Sequence, residues 1–441
     1  MKTRNLTDGP ILKNLICFSL PMIAGNLLQQ FYNLADTLIV GRYVGSDALA
    51  AVGSVYTLMT FITSIIIGLC MGSGALFSEA YGRKDLEKLQ VDVWHSIGFI
   101  AAVSMLLYGI IYPCRTWILQ LLQTPEELWT ITKDYVTIVF VGIVFVSAYN
   151  FFAYLLRSMG NSVVPLIFLA VASVLNILLD LWFVIGLQLG VCGAAYATVI
   201  AQGVSGVGIG VYAALKVPVL KLNRKKMHWN GQRMKEIIRT DLATGLQQSV
   251  MNLGILMIQA LVNSFGVVVM ASFAAAVKID TIAYMPAQEF GNAYSLFVSQ
   301  NYGAQKKERI GKGTKMAFAT SILFCLLVSI LIFATADKLM ELFVGADAPA
   351  IIAEGARYLR IEGAMYIGIG ILFLWYGYFR GVGRPQVSLL LTVLSLGTRV
   401  ILSYALAPHT PLGVVAIWIS IPIGWIFADA VGLFLYRRRQ I

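Results

Sequence analysis

Twelve stretches of apolar residues, each long enough to cross a bilayer as a helix, dominate the sequence. About 20 consecutive apolar residues span the hydrocarbon core when they are helical. None of the stretches alternates between apolar and polar residues as a membrane β-strand does. The pattern therefore predicts an all-α integral membrane protein with twelve transmembrane helices, at residues 15–40, 52–78, 94–113, 135–157, 163–187, 193–215, 242–264, 267–300, 316–336, 358–380, 386–407 and 413–436.

The composition agrees with this reading. The chain has 441 residues, of which 58% are hydrophobic and 12% charged, whereas a soluble domain carries about 25% charged residues. The net charge of +11 comes from basic residues in short loops between apolar stretches, as membrane topology requires. We therefore expect membrane lipids as partners and no nucleic acid. The five widely spaced cysteines are interpreted as packing residues.

The basic residues also predict the orientation of the chain. Of the 33 Lys and Arg residues, 25 lie at the N-terminus, at the C-terminus or in alternate loops, and only 6 lie in the opposite loops. Cytoplasmic loops carry the excess of positive charge in membrane proteins. We therefore expect a multi-pass protein of the plasma (inner) membrane with both termini in the cytoplasm.

The sequence repeats itself. The stretch LLRSMGNSVVPLI around Arg157 recurs as YFRGVGRPQVSLL around Arg380, at an offset of 223, and SEAYGRKD recurs as SQNYGAQKK at an offset of 221. Parallel repeats related by a pseudo-two-fold axis along the membrane normal are a common transporter plan. The repeat predicts two six-helix lobes, with the N-terminal lobe at 1–215, a basic cytoplasmic linker at 216–239 and the C-terminal lobe at 240–441.

Two acidic side chains interrupt otherwise uncharged membrane segments. Asp36 lies in the run 15–40 and Asp180 in the run 163–193, and each is the only charged residue of its run before the flanking loops. A carboxylate at the bilayer centre costs at least about 2.5 kcal/mol on insertion scales, so such residues are rare and usually functional. The two acids indicate a protein that binds and moves cations or protons.

Asn176 lies four residues before Asp180, so both side chains lie on one face of the predicted helix, one turn apart. Carboxylate and amide oxygens suit a hard cation, and Na⁺ at Asp36, Asn176 and Asp180 is one interpretation. A structural alternative is polar side chains that hydrogen-bond across helices. The offset of 223 carries Asn176 onto Arg399 and Asp180 onto Ser403, which places the ion chemistry in the N-terminal lobe.

The first segment also carries a polar stripe, formed by Gln29, Tyr32, Asn33 and Asp36. A stripe that faced lipid would be costly, so we expect it to line a substrate cavity or to face another helix. Pro21 interrupts the helix hydrogen bonds in the same segment. It is a candidate hinge, and a fixed kink is the alternative.

The C-terminal half carries its own intramembrane charges. Glu362 and Asp429 lie nearer the segment ends, where an interfacial position is expected, and Arg399 needs an acidic partner. A candidate second-lobe site is formed by Lys278, Asp280 and Glu289.

Several chemical signatures are absent from the sequence. No P-loop, H-E-x-x-H or G-x-S-x-G pattern occurs, and these are the motifs of nucleotide-driven pumps, zinc proteases and serine hydrolases. We therefore expect no enzyme activity and no cofactor. The intramembrane acids favour Na⁺ or H⁺ as a coupling ion. We also expect the protein to be monomeric. A passive channel fits less well, because the acids are distributed asymmetrically between the two halves.

With these residues identified, the chain resembles the multidrug and toxic compound extrusion (MATE) transporters over essentially its whole length. The strongest stretches are NLADTLIVGRYVGSDALAAVG (33–53), LLRSMGNSVVPLI (155–167) and residues 175–202. The resemblance implies two lobes around a central cleft and a cation-coupled antiporter that exports organic, cationic or amphipathic drugs and toxins by alternating access. A lipid or lipid-linked oligosaccharide flippase of the same superfamily is the alternative.

The resemblance also implies particular site residues. The branch of the family with a cation site in the N-terminal lobe has counterparts here in Asp36, Tyr135, Asn176, Asp180 and Thr198, and its lobe cavity has counterparts in Gln29, Tyr32 and Asn150. The chain departs from the family at Leu181, where a proline usually follows the aspartate. The acids that another branch of the family places in the seventh and tenth segments are missing here, and Gln247 and Gln248 are the nearest polar residues.

Overall fold

Helices account for all the regular secondary structure of the described residues, which are 4–121, 125–220 and 229–438 of a computed structural model. The helices are α1 (Ile11–Tyr43), α2 (Ser46–Gly82), α3 (Leu86–Leu121), α4 (Trp129–Val139), α5 (Gly142–Ser158), α6 (Val163–Asp180), α7 (Gly190–Lys216), α8 (Gly231–Asn263), α9 (Val267–Gly303), α10 (Lys307–Val344), α11 (Pro349–Gly363), α12 (Tyr366–Gly381), α13 (Pro385–Leu406) and α14 (Val414–Arg438).

Eleven of the described helical stretches are long and apolar enough to cross a membrane, and there are twelve if the bent pair α11 and α12 forms one span. The two helices of that pair meet at an angle of 52°. Helices α4 and α5 belong to one continuous stretch, Glu126–Ser158. Most helices extend several residues beyond the predicted segments, because hydropathy marks the hydrocarbon core and not the helical ends in the interface.

The described chain divides into two compact units. Unit 1 comprises Ala24–Gly245 together with the start of the chain up to Asn5, and unit 2 comprises Leu6–Ile23 and Leu246 to the C-terminus. This division differs from the predicted lobes, since residues 6–23 group with unit 2 and the boundary near 240 lies at Gly245. The chain passes from one unit to the other inside α1 and again inside α8.

The first turns of α8 belong to unit 1 because small residues let them approach α2 closely. A Cβ atom on Gly68 would lie 2.6 Å from Cα of Gly245, and one on Gly72 would lie 2.7 Å from Oδ1 of Asp241. Small residues four apart allow such packing between membrane helices. Ser73 Oγ also donates a hydrogen bond to Asp241 Oδ2, at 2.6 Å.

The predicted linker at 216–239 is shorter in the structure. Its residues 231–239 form the beginning of α8, and residues 221–228 lie outside the described residues. Arg233 Nη2 contacts both carboxylate oxygens of the buried Asp92, at 2.6 and 2.5 Å. This bidentate pair anchors the helical part in unit 1.

Residues 6–9 are held in unit 2 by two basic side chains of α10 and the turn before it. Arg309 donates from Nη1 to Gly9 O at 2.8 Å and from Nη2 to Asp8 O at 2.9 Å. Lys306 Nζ donates to Asp8 Oδ1 at 2.6 Å. The Lys306 hydrogen bond and positive charge lower the pKa of Asp8 below its ordinary value.

Unusual backbone conformations recur at the offsets of the sequence repeat. Positive φ angles are restricted for residues other than glycine, so their positions are informative. Eight of the eleven positive φ angles of the described residues form four pairs at offsets of 221 or 223, namely Gly45 and Gly266, Lys84 and Gln305, Gly160 and Gly383, and Gly190 and Gly413. The same turns therefore connect corresponding helices in both halves, which supports an internal repeat. The axis that relates the halves stays a prediction.

Candidate functional site

The two acids of unit 1 face each other. Asp36 lies on α1 and is half-buried, and Asp180 is the last residue of α6 and 0% exposed. Their carboxyl groups are close enough to interact directly. The structure therefore brings together the two residues that the sequence identified from hydropathy alone.

A local change of helix type positions Asp180. Directly after it, residues Leu181–Gly186 form a π-helical turn, in which Leu187 N–H donates to Trp182 O at 2.8 Å. Such turns occur frequently at functional sites. Leu181, where the resemblance expects proline, keeps its N–H bonded to carbonyls of the preceding turn. The π turn therefore begins at the position where the resemblance expects proline.

Several buried polar atoms at the site have no hydrogen-bond partner in the part of the protein that the structure describes. Within the described residues, no hydrogen bond satisfies Oδ1 of Asp36, either carboxylate oxygen of Asp180, or the side-chain amide of Asn176. Buried polar groups are nearly always hydrogen-bonded, and leaving them unpaired is costly. Unpaired oxygens of this kind fit a hard monovalent cation or a proton.

Within the described part of the chain, no basic side chain compensates this pair. Among the described residues, neither Asp36 nor Asp180 forms an ion pair, and the charged group that acts on Asp180 is Asp36 itself. Over the same residues, no group of three or more His, Cys, Asp or Glu could hold a metal ion. A bound Na⁺ would therefore depend on two carboxylates with neutral amide and hydroxyl oxygens.

Tyr135 supplies a hydroxyl near the acids. It lies buried on α4, and the charges of Asp36 and Asp180 both reach its hydroxyl group. Tyr32, one turn before Asp36 on α1, is also within electrostatic reach of Tyr135. The structure thus gathers Tyr135, which only the family resemblance predicted, beside the two acids.

The remaining predicted residues of unit 1 lie on α1, α5 and α7. Gln29 lies within hydrogen-bonding reach of the Tyr32 hydroxyl, whereas Asn150 Nδ2 donates to the carbonyl of Val146 on its own helix, at 2.9 Å. Asn33 and Thr198 are half-buried on α1 and α7. Their roles in the cavity and the cation site stay predictions.

Pro21 lies inside α1, which continues as one helix from Ile11 to Tyr43. The passage of the chain from unit 2 to unit 1 falls between Ile23 and Ala24, two residues after the proline. This position is consistent with a hinge, and the hinge itself stays a prediction.

The candidate second-lobe site is not one cluster. Lys278 is exposed on α9, whereas Asp280 is buried and accepts a hydrogen bond from the Tyr366 hydroxyl, at 2.6 Å. Glu289 accepts a hydrogen bond from Asn292 Nδ2 at 3.1 Å, in a different polar group. The three residues were grouped by helix spacing, but their partners on other helices separate them.

Arg380 belongs to the polar group around Asn292. It is buried at the end of α12. Its Nη2 donates to Asn292 Oδ1 and its Nε to Ser295 Oγ, both at 3.0 Å. Arg380 and Asn292 line a small polar cavity in unit 2, together with Gln247, Gln248, Gln288 and Tyr376.

Sequence reasoning missed a second buried set of charges in unit 2. Glu362, expected at the interface, is 3% exposed and lies beside Arg399, Asp280 and Tyr358. The expectation that Arg399 needs an acidic partner agrees with this arrangement. One signal could have found the set, because the offset of 223 carries Tyr135 of the unit 1 site onto Tyr358.

Comparison with known proteins gives a consistent family. The MatE family model matches residues 21–182 and 243–405. The probable multidrug resistance protein YpnP of Bacillus subtilis is 29% identical over 443 residues, covering 99% of this chain and 97% of that protein. The probable multidrug resistance protein NorM of Thermotoga maritima is 25% identical over 432 residues, covering 97% and 92%. A solved MOP superfamily transporter from Pyrococcus furiosus has the same fold, with a TM-score of 0.92 at 24% identity over 100% of this chain and 99% of that one.

Proposed function

The chain belongs to the MatE family, and from that premise we propose that it exports organic compounds across the plasma membrane by alternating access, driven by inward movement of Na⁺ or H⁺. The multidrug resistance names of its relatives support drugs and toxins, cationic or amphipathic, as the substrate class. We assign the coupling site to unit 1, within the branch of the family that binds its cation in the N-terminal lobe, and place both termini in the cytoplasm.

One observation carries the assignment of the coupling site. Asp36 and Asp180 face each other in a membrane-spanning region, and no basic side chain of the described residues pairs with them. Two such carboxylates repel each other and favour one shared proton or one bound Na⁺. An incoming cation therefore compensates the negative charge of Asp36 and Asp180, which no described basic side chain compensates.

Neutralisation of the pair gives the cation a way to change the packing of α1. Asp36 and the polar stripe lie on the C-terminal side of Pro21, and the chain passes between the two units just after that proline. A cation that joins α1 to α6 favours one packing of this half-helix over another, which is the differential interaction that any coupled transition needs. A membrane potential of about 100 mV contributes about 2.3 kcal/mol per charge, which is about 50-fold in accumulation.

Dye efflux from proteoliposomes under imposed Na⁺ or pH gradients tests the proposal. We expect Asp36→Asn to abolish gradient-driven efflux, because the neutral amide no longer recruits a cation. Asp47→Asn, an exposed position at the start of α2, is the matched control and keeps efflux. Efflux at the wild-type rate from Asp36→Asn would reject the coupling site.

The flippase alternative has less support in the described residues. A flippase for pyrophosphate-linked sugars needs a strongly cationic cleft, and the candidate cations are Lys278 and Arg399, which lie well inside predicted membrane segments. Lys278 is exposed, and Arg399 lies between two acids. Transport of a fluorescent lipid in the same vesicles, without dye efflux, would reverse this preference.

A further inference from the structure

The imidazole of His95 lies where α3 meets the start of α8, within unit 1. His95 is in the third turn of α3 and is 9% exposed. Its Nδ1 lies 2.8 Å from the carbonyl oxygen of Val91, and the backbone N–H of Asn230 points to its Nε2 at 3.3 Å. The ring of Trp229 lies against the imidazole, with 5.1 Å between the ring centroids. Both nitrogens of this imidazole therefore have a partner.

These two hydrogen bonds define the protonation state of His95. A carbonyl oxygen can only accept, so Nδ1 carries a hydrogen, and a backbone N–H can only donate, so Nε2 carries none. The imidazole is therefore neutral, with its one proton on Nδ1. A second proton would occupy Nε2 and set two donors against each other, so it would break the hydrogen bond from Asn230.

The partner of His95 is the residue that caps α8. Asn230 directly precedes α8, and its Oδ1 accepts hydrogen bonds from the backbone N–H groups of Gln232 and Arg233, both at 3.1 Å. Its carbonyl oxygen accepts a hydrogen bond from the N–H of Met234, at 2.9 Å. This is the arrangement of an N-cap, which satisfies backbone donors that a helix leaves unpaired at its start. His95 therefore holds the capping residue in place through its backbone N–H.

The charged groups around this end of α3 are paired with one another. Arg233 on α8 pairs with Asp92 on α3 and with Glu236 on α8. Among the described residues, none of the acids forms an ion pair with His95. A proton on the imidazole would therefore add a positive charge to a set that is already balanced. The other ion pairs of this set join Glu79 on α2 to Arg83 and Lys88.

The other ionisable groups on the neighbouring elements have other contacts. Asp241 on α8 accepts a hydrogen bond from Ser73 on α2, and Arg157 on α5 lies over the ring of Tyr154. The turn Pro218–Leu220 has no ionisable side chain. The remaining charged residues at this end of unit 1 are exposed, namely Lys84, Asp85, Glu87, Lys216, Lys235 and Arg239.

The start of α8 is attached to α3 at two neighbouring places. His95 binds Asn230, and Asp92, one turn earlier on α3, binds Arg233. The arginine and aspartate stay charged when the pH falls slightly below neutral, whereas histidine changes its charge there. Loss of the His95 contact would therefore free the cap while the ion pair still holds the helix, which is a local opening and not unfolding.

We propose that His95 is a pH sensor, whose neutral ring fixes the N-cap of α8 and whose protonation releases that cap and loosens the first turn of α8. The attachment is present at high pH and is lost as the pH falls through the range of about 8 to 5 in which histidine takes up a proton. An aromatic face also attracts a cation, so Trp229 can keep the protonated ring in place. On the proposed orientation this end of α3 and α8 is cytoplasmic, and the sensor then responds to cytoplasmic pH.

Nitrogen NMR of the full chain in lipid nanodiscs tests the protonation state of His95 directly. The chain has three histidines, so His228→Gln combined with His409→Gln leaves His95 as the single one. With ¹⁵N-labelled histidine we expect a neutral ring protonated on Nδ1 at about pH 8, and a doubly protonated ring at about pH 5. A neutral ring protonated on Nε2 at the higher pH, or a ring that stays neutral at the lower pH, would overturn the proposal.

Hydrogen exchange at the start of α8 tests the structural consequence. After correction for the intrinsic effect of pH on exchange, the protection of the Gln232 and Arg233 amides should fall about fivefold over the same pH range, as expected for loss of one helix cap. His95→Gln takes up no proton and should abolish this step. The exposed His409→Gln is the matched control and should keep it.

An equal step in His95→Gln, or no step in the wild type, would contradict the proposal. The NMR titration leaves His95 in place, so it decides the question if His95→Gln does not fold. Neither measurement involves transport, so a failure of cation coupling at Asp36 would leave both results unchanged.

Discussion

The buried acids of the two units solve the same electrostatic problem in different ways. In unit 1, Asp36 and Asp180 face each other with no basic partner among the described residues. In unit 2, Asp280 and Glu362 share Arg399. The repeat makes the comparison direct, because its offset carries Asn176 onto Arg399 and Tyr135 onto Tyr358.

The difference teaches where an external cation is needed. A guanidinium supplied by the protein compensates one carboxylate permanently, since Arg stays charged at all accessible pH values. Asn176, at the equivalent repeat position in unit 1, is neutral. On our proposal, Asp36 and Asp180 therefore exchange cations with the solvent. The two centres therefore differ in their counter-charge: Arg399 supplies one in unit 2, and Asn176, at the corresponding repeat position in unit 1, is neutral.

The largest expected effect comes from transferring the fixed cation to unit 1. Asn176→Arg should place a guanidinium beside Asp36 and Asp180 and abolish Na⁺- or H⁺-driven dye efflux, because the site no longer needs an external cation. Asn176→Gln keeps the amide and should retain part of the efflux. Cation-driven dye efflux at the wild-type rate from Asn176→Arg would contradict the comparison, because the added guanidinium would then not replace the external cation.

The reciprocal change should destabilise unit 2. Arg399→Asn leaves two buried acids without a counter-charge, and removal of one partner of a buried ion pair costs about 3–5 kcal/mol. Thermal unfolding in detergent over a pH series measures the effect. The loss should be greatest at high pH, where both acids are ionised, and smaller at low pH. A loss independent of pH would indicate a packing defect instead of a missing charge.

Much of this comparison could be read from the sequence. The segments, the repeat and the importance of Asp36, Asn176 and Asp180 follow from local hydropathy and helical spacing. The grouping of Asp280, Glu362 and Arg399 does not follow from local hydropathy or spacing, because these residues lie on three helices whose mutual packing no local pattern specifies.

The family resemblance added what local patterns could not. Tyr135 has no distinguishing spacing of its own, and only the resemblance placed it beside the acids. The passage of the chain between units inside α1 and α8 was also beyond a sequence reading, because it depends on close contacts such as that of Gly68 with Gly245.

A smaller effect is expected from a substitution at Pro21, the candidate hinge of α1. It tests whether the half of α1 that carries Asp36 moves during transport. Pro21→Ala restores a helix hydrogen bond, and an internal proline disfavours a regular helix by about 3 kcal/mol. A straight α1 should therefore be favoured, which slows efflux while cation binding at Asp36 persists. Met22→Ala, at a buried neighbouring position, controls for local packing. Parallel loss of binding and efflux in Pro21→Ala would argue against a hinge.

The smallest effect is expected where charges are exposed. The Asp8–Lys306 pair lies at the surface of unit 2, and exposed pairs contribute at most about 1 kcal/mol. Because Lys306 lowers the pKa of Asp8, the contribution is present at neutral pH and is lost as the pH falls through that lowered pKa. Asp8→Asn should therefore lower the melting temperature slightly at neutral pH and not in strong acid. An effect as large as that of Arg399→Asn would contradict the distinction between exposed and buried charges.

The most direct measurement counts the monovalent cations held by unit 1. Calorimetric Na⁺ titration and proton uptake, recorded on the same samples over a pH series, give the sum of bound Na⁺ and H⁺. The account predicts that Asp36→Asn combined with Asp180→Asn holds one fewer cation than the wild type, and that Na⁺ and H⁺ compete for that place. A double variant that binds as many cations as the wild type would contradict the account.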